Sequence, residues 1–299
     1  MDTKNKVKLV SIIIVNYNGK KYIRDCLNSV FSSHYPKFEI IVVDNASCDD
    51  SDNIIEKEFP YVRLIRNKKN LGFAAGNNVG IRMAKGDVVI LLNNDTIVEK
   101  EWLEELVNTL TSSNKIGIVG SKILFPNKKT LQHAGGIIHP NALTNHYGYR
   151  EEDIGQYNMI IDVDYVTGAS IGIKKEVFKK IGFLEESYYP AYYEEIEFCY
   201  RAKQRGYRVV YEPKSVLYHY GSASTHLFSY KFYYYYHKNR IRFVLRNYSF
   251  SEFVTSFIPK EMIWSIIKCP LESRLPLIQA YIYIIFTLPF ILFNRFRNT

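Results

Sequence analysis

The apolar run Val88-Val89-Ile90 closes on the hexapeptide Leu91-Leu92-Asn93-Asn94-Asp95-Thr96, which sets one carboxylate and two carboxamides where a buried strand ends. Hard oxygen ligands at a strand's C-terminal edge lie where open α/β sheets bind their ligands. One carboxylate among neutral amides suits a magnesium or manganese ion. Such an ion takes one or two protein carboxylates and fills its shell with substrate oxygens, those of a diphosphate included. Asp is also a favoured helix N-cap, so Asp95 has a purely structural alternative as the start of a helix over 97–110. However, Thr96-Ile97-Val98-Glu99 spells a capping box of its own, with Thr96 as cap and Glu99 reaching back. That leaves Asp95 for a ligand.

Asp44 follows Ile40-Ile41-Val42-Val43 and precedes Asn45-Ala46-Ser47. Its carboxylate can accept the ring N–H of a uracil or thymine, and the competing role is an Asx-turn that closes the strand. Ligand binding is favoured because Asn16 and Asp95 would share the rim. The glycines at 72, 76 and 80 match neither GxGxxG nor GxxxxGK[ST], so neither a dinucleotide fold nor a P-loop is indicated. Spaced by four, they give a helix face bare enough to approach a sheet closely, with Asn70, Gly72 and Asn77 nearer a nucleotide. Glu194, Glu195 and Glu197 open a helix, where the dipole favours negative charge. Glu197 and Arg201, four apart, are explained by a surface ion pair. Either Glu194 or Glu195 can aim into a cleft as a general base, raised towards neutral pH by burial and neighbouring carboxylates. His219 ends a short strand, either as a metal ligand after Asp95 and the diphosphate oxygens or as a hydrogen-bonded structural histidine.

These groups need elements to hold them. Strand-like runs at 9–15, 39–43, 62–66, 88–92 and 117–119 alternate with helix-like segments at 21–31, 51–59, 76–84 and 99–110. Near-continuous Val/Ile/Leu strands between helices predict a parallel sheet covered on both faces. The segments after three of them, Asn16 to Gly19, Asp44 to Ser47 and Asn93 to Asp95, then fall on one rim, which is the ligand site. Residues 126–165 read as a polar, glycine-rich flap. A strand within 164–173, a helix over 174–181, a helix from Tyr193 to about Arg205, and two short strands at 208–211 and 216–218 follow.

The 299 residues suffice for one large domain with an appendage, and 47% apolar with 23% charged residues excludes wholesale disorder. Cys26, Cys48, Cys199 and Cys269 show no CxxC pair, so a reducing compartment fits better than a disulfide framework. The first eight residues are polar and the apolar run after them is too short for a signal-peptide core, which predicts that the N-terminal domain stays cytoplasmic. A net charge of +9 comes with no nucleic-acid motif and suits an anionic membrane surface or a diphosphate. Residues 250–269 mix apolar residues with charge, and 275–293 carry no charged residue between Arg274 and Arg295. That length just spans a bilayer, but Pro276, Gln279 and Pro289 make an interfacial segment an equal alternative. Membrane contact is expected either way.

Taken in order, Ser11-Ile-Ile-Ile-Val-Asn-Tyr-Asn18, Val42-Val-Asp-Asn-Ala-Ser47, Asn70-Leu-Gly-Phe-Ala-Ala-Gly-Asn77, Leu91 to Thr96, Val166-Thr-Gly-Ala169, Tyr193 to Arg201 and His219 resemble the family 2 inverting glycosyltransferases, especially the rhamnosyltransferase-like branch. The resemblance covers roughly residues 9–245. It implies a GT-A α/β fold, a mixed and mostly parallel sheet with helices on both faces, with a nucleotide-binding half at 9–125 and an acceptor half at 126–245. A membrane-associating helical extension at 246–299 would follow. It implies that Asp44 and Asn16 bind the nucleotide with Asn70, Gly72, Asn77 and Asn94, and that Asp95, with His219, binds Mg2+ or Mn2+. It further implies that Glu195 is the catalytic base and that Thr167, Gly168 and Glu194 line the sugar and acceptor side. The expected enzyme is a metal-dependent inverting hexosyltransferase using a dTDP- or UDP-linked sugar such as rhamnose. Its acceptor is a glycan or lipid-linked hydroxyl, met at the cytoplasmic face of a membrane during polysaccharide biosynthesis. Asn93 stands where many members have a first Asp, and Glu195 where Asp is commoner. A sugar nucleotidyltransferase would be expected to carry a glycine-rich loop with Arg and Lys after the first strand, which Asn16-Tyr-Asn-Gly19 is not. A non-catalytic binding module has no need of a base.

Overall fold

Runs of Ile, Val and Leu form the parallel strands, the first, second and fourth largely buried on both faces and the third half-exposed at the sheet's edge between Arg63 and Arg66. They are β1 (Val10–Asn16), β2 (Phe38–Asp44), β3 (Arg63–Arg66) and β4 (Val88–Asn93), joined by α1 (Ile23–Phe31), α2 (Ser51–Glu58) and α3 (Gly72–Met83). β5 (Thr96–Val98), α4 (Trp102–Thr111), β6 (Ile116–Leu124) and β7 (Leu131–His133) follow. A separate two-stranded ribbon, β8 (Gly136–Ile138) with β9 (Thr144–His146), precedes β10 (Ile161–Asp162), β11 (Ser170–Lys174), α5 (Lys175–Ile181), α6 (Glu194–Gln204) and β12 (Arg208–His219). The computed structural model describes residues 7–221 and 228–297. By its internal contacts the chain divides into one unit of Met1–Ile137, His146–Tyr189 and Glu194–Ala223 and a second of Ile138–Asn145, Pro190–Tyr193 and Ser224–Thr299.

The first unit is built on a sheet of order β10-β12-β6-β11-β4-β1-β2-β3, with β5 on β12 and β7 on β6. Pairs β4-β1, β1-β2, β2-β3 and β6-β12 are parallel, while β11 runs antiparallel between β4 and β6. α3 lies close on this sheet because two of its three glycines, Gly76 and Gly80, face it. A Cβ on Gly80 would stand 2.5 Å from Ile13 Cγ2, and one on Gly76 would stand 2.9 Å from Asn45 Nδ2. The spacing of four therefore works as helix-on-sheet packing, as expected.

Several boundaries differ from the sequence expectation. No capping box forms at Thr96, because Thr96–Val98 is a strand paired with β12, Thr96 opposite His219, and α4 begins only at Trp102. Thr96 Oγ1 instead donates to Asn93 O at 2.7 Å, and Glu99 accepts from the Tyr218 hydroxyl. α3 starts at Gly72 rather than 76, and β6 runs on to Leu124. The two short strands at 208–218 are one, β12, whose register shifts between Glu212 and Val216. Pro213 lies in that shift, where the Glu212 side chain accepts from Lys214 N at 2.9 Å. The flap at 126–165 is not bare loop but carries β7 to β10.

The second unit consists of α7 (Tyr230–Asn247), short helical turns α8 (Phe250–Glu252) and α9 (Ile258–Ile263) alternating with π-helical turns over 253–257 and 264–268, and α10 (Leu271–Arg297). Arg240 is fully buried and donates twice to Glu261 at 2.6 Å and once to Asn141 O at 2.8 Å. Asn239 Nδ2 donates to the carbonyls of Ala191 and Tyr192 at 2.9 Å, which brings 190–193 to α7. Ile241 of α7 packs with Leu277, Ala280, Ile284 and Ile291 of α10. By length and composition, Leu271–Phe293 could cross a membrane.

Candidate active site

Parallel pairing fixes the rim. Asn16 and Asp44 stand opposite each other at the ends of β1 and β2, and Asn93 stands beside Val15 at the end of β4. Three polar strand ends therefore meet at one edge of the sheet, all in the first unit.

Asn16 is fully buried and organises this edge. Its Nδ2 lies within bonding distance of Asp44 Oδ1 (2.8 Å), Ser51 Oγ (2.8 Å) and Ser47 Oγ (3.1 Å), while its Oδ1 accepts from Asn94 Nδ2 at 2.9 Å. Asp44 also accepts from Ser47 N at 2.9 Å and Ser47 Oγ at 2.5 Å. The turn role weighed for Asp44 is thus present. Three accepted bonds use most of the roughly four that a carboxylate can take, so about one acceptor position remains. Gly19 is needed where Asn16 meets Asn94, since a Cβ there would stand 2.2 Å from both side chains. From sequence, Gly19 stands out only as the end of a polar turn.

Asn70 Oδ1 accepts from Gly72 N at 2.8 Å, and Gly72, at φ 78°, presents its carbonyl to Asn45 Nδ2 at 3.1 Å. Asn77 is buried and donates to Phe73 O, one helical turn back, at 3.0 Å. These residues shape the loop and helix beside the rim.

Asp95, buried, holds Oδ1 at 3.1 Å from His219 Nε2. The same Nε2 lies 3.2 Å from Asn93 Nδ2, and the other ring nitrogen, Nδ1, lies 2.6 Å from Gln132 Oε1. Gln132 Nε2 donates to His219 O at 3.4 Å, which turns its Oε1 towards the ring. An amide oxygen only accepts, so Nδ1 carries a proton. Nε2 faces the Asp95 carboxylate, and such a pair holds either a proton or a cation between its two atoms. A carboxylate oxygen beside an imidazole nitrogen whose second N–H is already fixed could hold a metal ion, with the supporting bond in place. No group of three His, Cys, Asp or Glu side chains forms a closed cage among the described residues. Two protein ligands suit an ion that also takes substrate oxygens, and the imidazole inclines the pair to Mn2+ over Mg2+. The residues present fit the expected ion. Gln132 had no sequence signal, as it lies in the stretch read as flap and reaches His219 only through strand pairing. Beneath Asn93 and Thr96, burial pushes the Cys26 thiol up to about 12, which keeps it neutral and no nucleophile.

Glu195 sits half-buried in the first turn of α6. Burial pushes its carboxyl above the usual carboxylate range, while the N–H groups of Glu195, Gly168 and Ile196 hydrogen-bond to it and pull the other way. The structure thus brings Gly168 to Glu195. A Cβ on Gly168 would stand 2.6 Å from Phe73 Cζ, so α3 abuts this turn as well. Thr167 N donates to His133 Nε2 at 3.3 Å. Glu194 is more deeply buried than Glu195, at 3% exposure. The surface pair expected of Glu197 and Arg201 is instead a partly buried tie. Glu197 is 1% exposed and accepts from Arg201 Nε at 2.7 Å, while Arg201 also donates to the carbonyls of Ile181, which ends α5, and Phe183 just beyond it.

Residues 11–182 match the family model described as Glycosyl transferase family 2. The chain is 31% identical over 204 residues to the low-salt glycan biosynthesis hexosyltransferase Agl10 of Haloferax volcanii, covering 67% of this chain and 63% of that protein. It is 28% identical over 225 residues to the O-antigen biosynthesis protein RfbC of Myxococcus xanthus, covering 72% of this chain and 17% of that one. The chain thus spans less than two thirds of either relative. Among solved structures, the mannosyltransferase PcManGT from Pyrobaculum calidifontis in complex with GDP-Man and Mn2+ aligns over 98% of this chain and 74% of its own, with a TM-score of 0.59 at 17% identity. That likeness speaks for the fold, and the GT-A architecture with a C-terminal helical segment is as expected.

Proposed function

The chain belongs to glycosyl transferase family 2, and we propose that it transfers a sugar from a nucleoside diphosphate to a hydroxyl of a glycan or lipid-linked acceptor, with inversion, during glycan or polysaccharide biosynthesis. The observation that carries this reading is the Asp95–His219 pair, its outer nitrogen fixed by Gln132, on the same strand rim as Asn16 and Asp44. A divalent ion held by Asp95 and His219 would supply Lewis-acid compensation for the charge that grows on the departing diphosphate. Asp44, kept in orientation by Asn16 and Ser47, receives the base of a dTDP- or UDP-linked donor, and Asn94 with the 70–77 segment borders the nucleotide. Thr167, Gly168 and Glu194 line the sugar and acceptor side.

Glu195 takes the proton of the acceptor hydroxyl as that oxygen attacks the anomeric carbon. The Gly168 N–H holds the carboxylate in place, and burial gives it the proton affinity the task needs. A single displacement requires no protein nucleophile. Agl10, named as a hexosyltransferase, and PcManGT, bound to GDP-Man and Mn2+, support transfer from a nucleotide sugar and a divalent ion. The acceptor is met at the cytoplasmic face of a membrane, to which α10 attaches the protein.

Glu195→Gln tests the assignment. Transfer should fall by about 10²- to 10⁴-fold, while nucleotide-sugar binding by calorimetry stays as it was. Unchanged turnover would remove Glu195 from the chemistry.

A further inference from the structure

α10 is apolar on two opposite sides. Leu277, Ala280, Ile284 and Ile291 are buried together with Ile241 of α7. Turned away from them, Leu275, Ile278, Ile282, Phe286, Phe290 and Phe293 are between 50% and 81% exposed and recur every third or fourth residue, a continuous stripe on a helix. Arg274 borders the stripe on one edge and Glu272 and Gln279 on the other, and exposed Lys260 and Lys268 stand beside exposed Ile263, Ile266 and Ile267 just before it. A contiguous apolar surface of this extent marks an interaction site.

Lipid could surround such a helix or lie along it, and α7 decides between the two. His237 Nε2 lies 2.6 Å from Ser273 Oγ at the start of α10, Arg242 Nη2 donates to Tyr283 Oη at 3.5 Å in the middle, and Arg295 donates to the carbonyls of Leu245 and Tyr248 at 2.9 and 2.7 Å at the end. Tyr281 also donates to Glu261, the partner of Arg240, at 2.5 Å. α10 is therefore fastened to α7 along its length, and α7 carries Lys238, Arg240, Arg242 and Arg246. Cations at the bilayer centre are costly, so α10 cannot cross with α7 attached. Only its far stripe is available to hydrocarbon.

We infer that α10 is an in-plane anchor, lying along an anionic bilayer surface with its exposed stripe immersed and Lys260, Lys268 and Arg274 at the level of the headgroups. This rests on the membrane-surface part of the proposed function and selects its geometry.

The test uses the full chain carrying Cys48→Ser, since Cys26, Cys199 and Cys269 are buried. A single spin label at Leu275→Cys, Ile282→Cys or Phe293→Cys is bound to phosphatidylcholine vesicles containing phosphatidylglycerol, and its depth is read from relative accessibility to oxygen and a nickel chelate. Equal depths at the three positions are expected. A profile deepest at 282 and shallow at both ends overturns the in-plane geometry in favour of a span. Ile278→Glu with Ile282→Glu should lower vesicle partition about tenfold or more, and unchanged partition overturns the stripe as the anchor. Failure of the unsubstituted protein to bind vesicles, with a dimer by light scattering, assigns the stripe to a second copy instead. Transfer to a soluble acceptor, measured on the double variant, tells loss of the anchor from loss of the proposed catalysis.

Discussion

Glu195 sets function against stability in one side chain. Its carboxyl is raised by burial, so the folded protein holds this proton more tightly than the unfolded chain does. The stability this group contributes is full below its unfolded value, near 4.5, and is lost as pH rises through the folded value. Glu195→Gln should therefore melt higher than the parent at neutral pH and equally with it near pH 4; a thermal midpoint that shifts by the same amount at both would remove burial as the cause. Gln132 has the complementary role for His219, fixing which nitrogen bears the proton. Gln132→Leu should weaken Mn2+ binding, followed by the resonance signal of the free ion, by about 10- to 100-fold. Gln132→Glu, which keeps an acceptor at the same place, should retain it. Equal losses in both variants would mean that Gln132 only packs. Asp95 and Asp44 stand out in the sequence because each follows a strong apolar run, whereas Glu195 is singled out from Glu194 only by the family resemblance. Gln132 does not stand out, because it is 87 residues from the histidine it orients.

Elements were legible where periodicity is long and illegible where a distant strand offers a better partner. The Val/Ile/Leu strands and the glycine-spaced α3 follow from local pattern alone. Thr96 to Glu99 has every mark of a helix start, yet the backbone of β12 takes Thr96 to Val98 into the sheet and turns Glu99 to Tyr218. That exchange puts Thr96 opposite His219 and so places Asp95 against the imidazole. β7 was invisible for the same reason, its three residues being ordered by β6. It brings His133 beside His146, ring centroids 4.5 Å apart. Burial first, and the neighbouring His146 second, hold His133 well below its ordinary 6.5. Its share of stability is present above 6.5 and lost as pH falls. Titrating the melting temperature from about pH 8 to about pH 5 should show a decline that His133→Gln reduces; an identical slope in the variant would place the acid sensitivity elsewhere.

At the scale of the whole chain, the last fifty residues are not a detachable tail. Glu261 neutralises the fully buried Arg240, and α10 covers α7, so truncation before α8 would uncover both. Removing one partner of such a pair costs about 3–5 kcal/mol. Glu261→Ala should thus unfold the second unit early in a urea titration followed at Trp264, whereas Arg240→Met with Glu261→Leu should recover much of the loss. Early unfolding that the double substitution leaves unrelieved would place the weakness outside the ion pair. The second unit also takes its parts from three stretches of chain, and that has a cost in time. Asn141 leaves the ribosome 99 residues ahead of Arg240, an interval on the order of 5–20 s at ordinary translation rates. Tyr193, whose ring meets Tyr236 and Phe243 of α7, likewise emerges before that helix is made. A late stop codon or a stall within α7 would therefore be felt in segments synthesised seconds earlier, and the pace of translation enters the yield of intact protein.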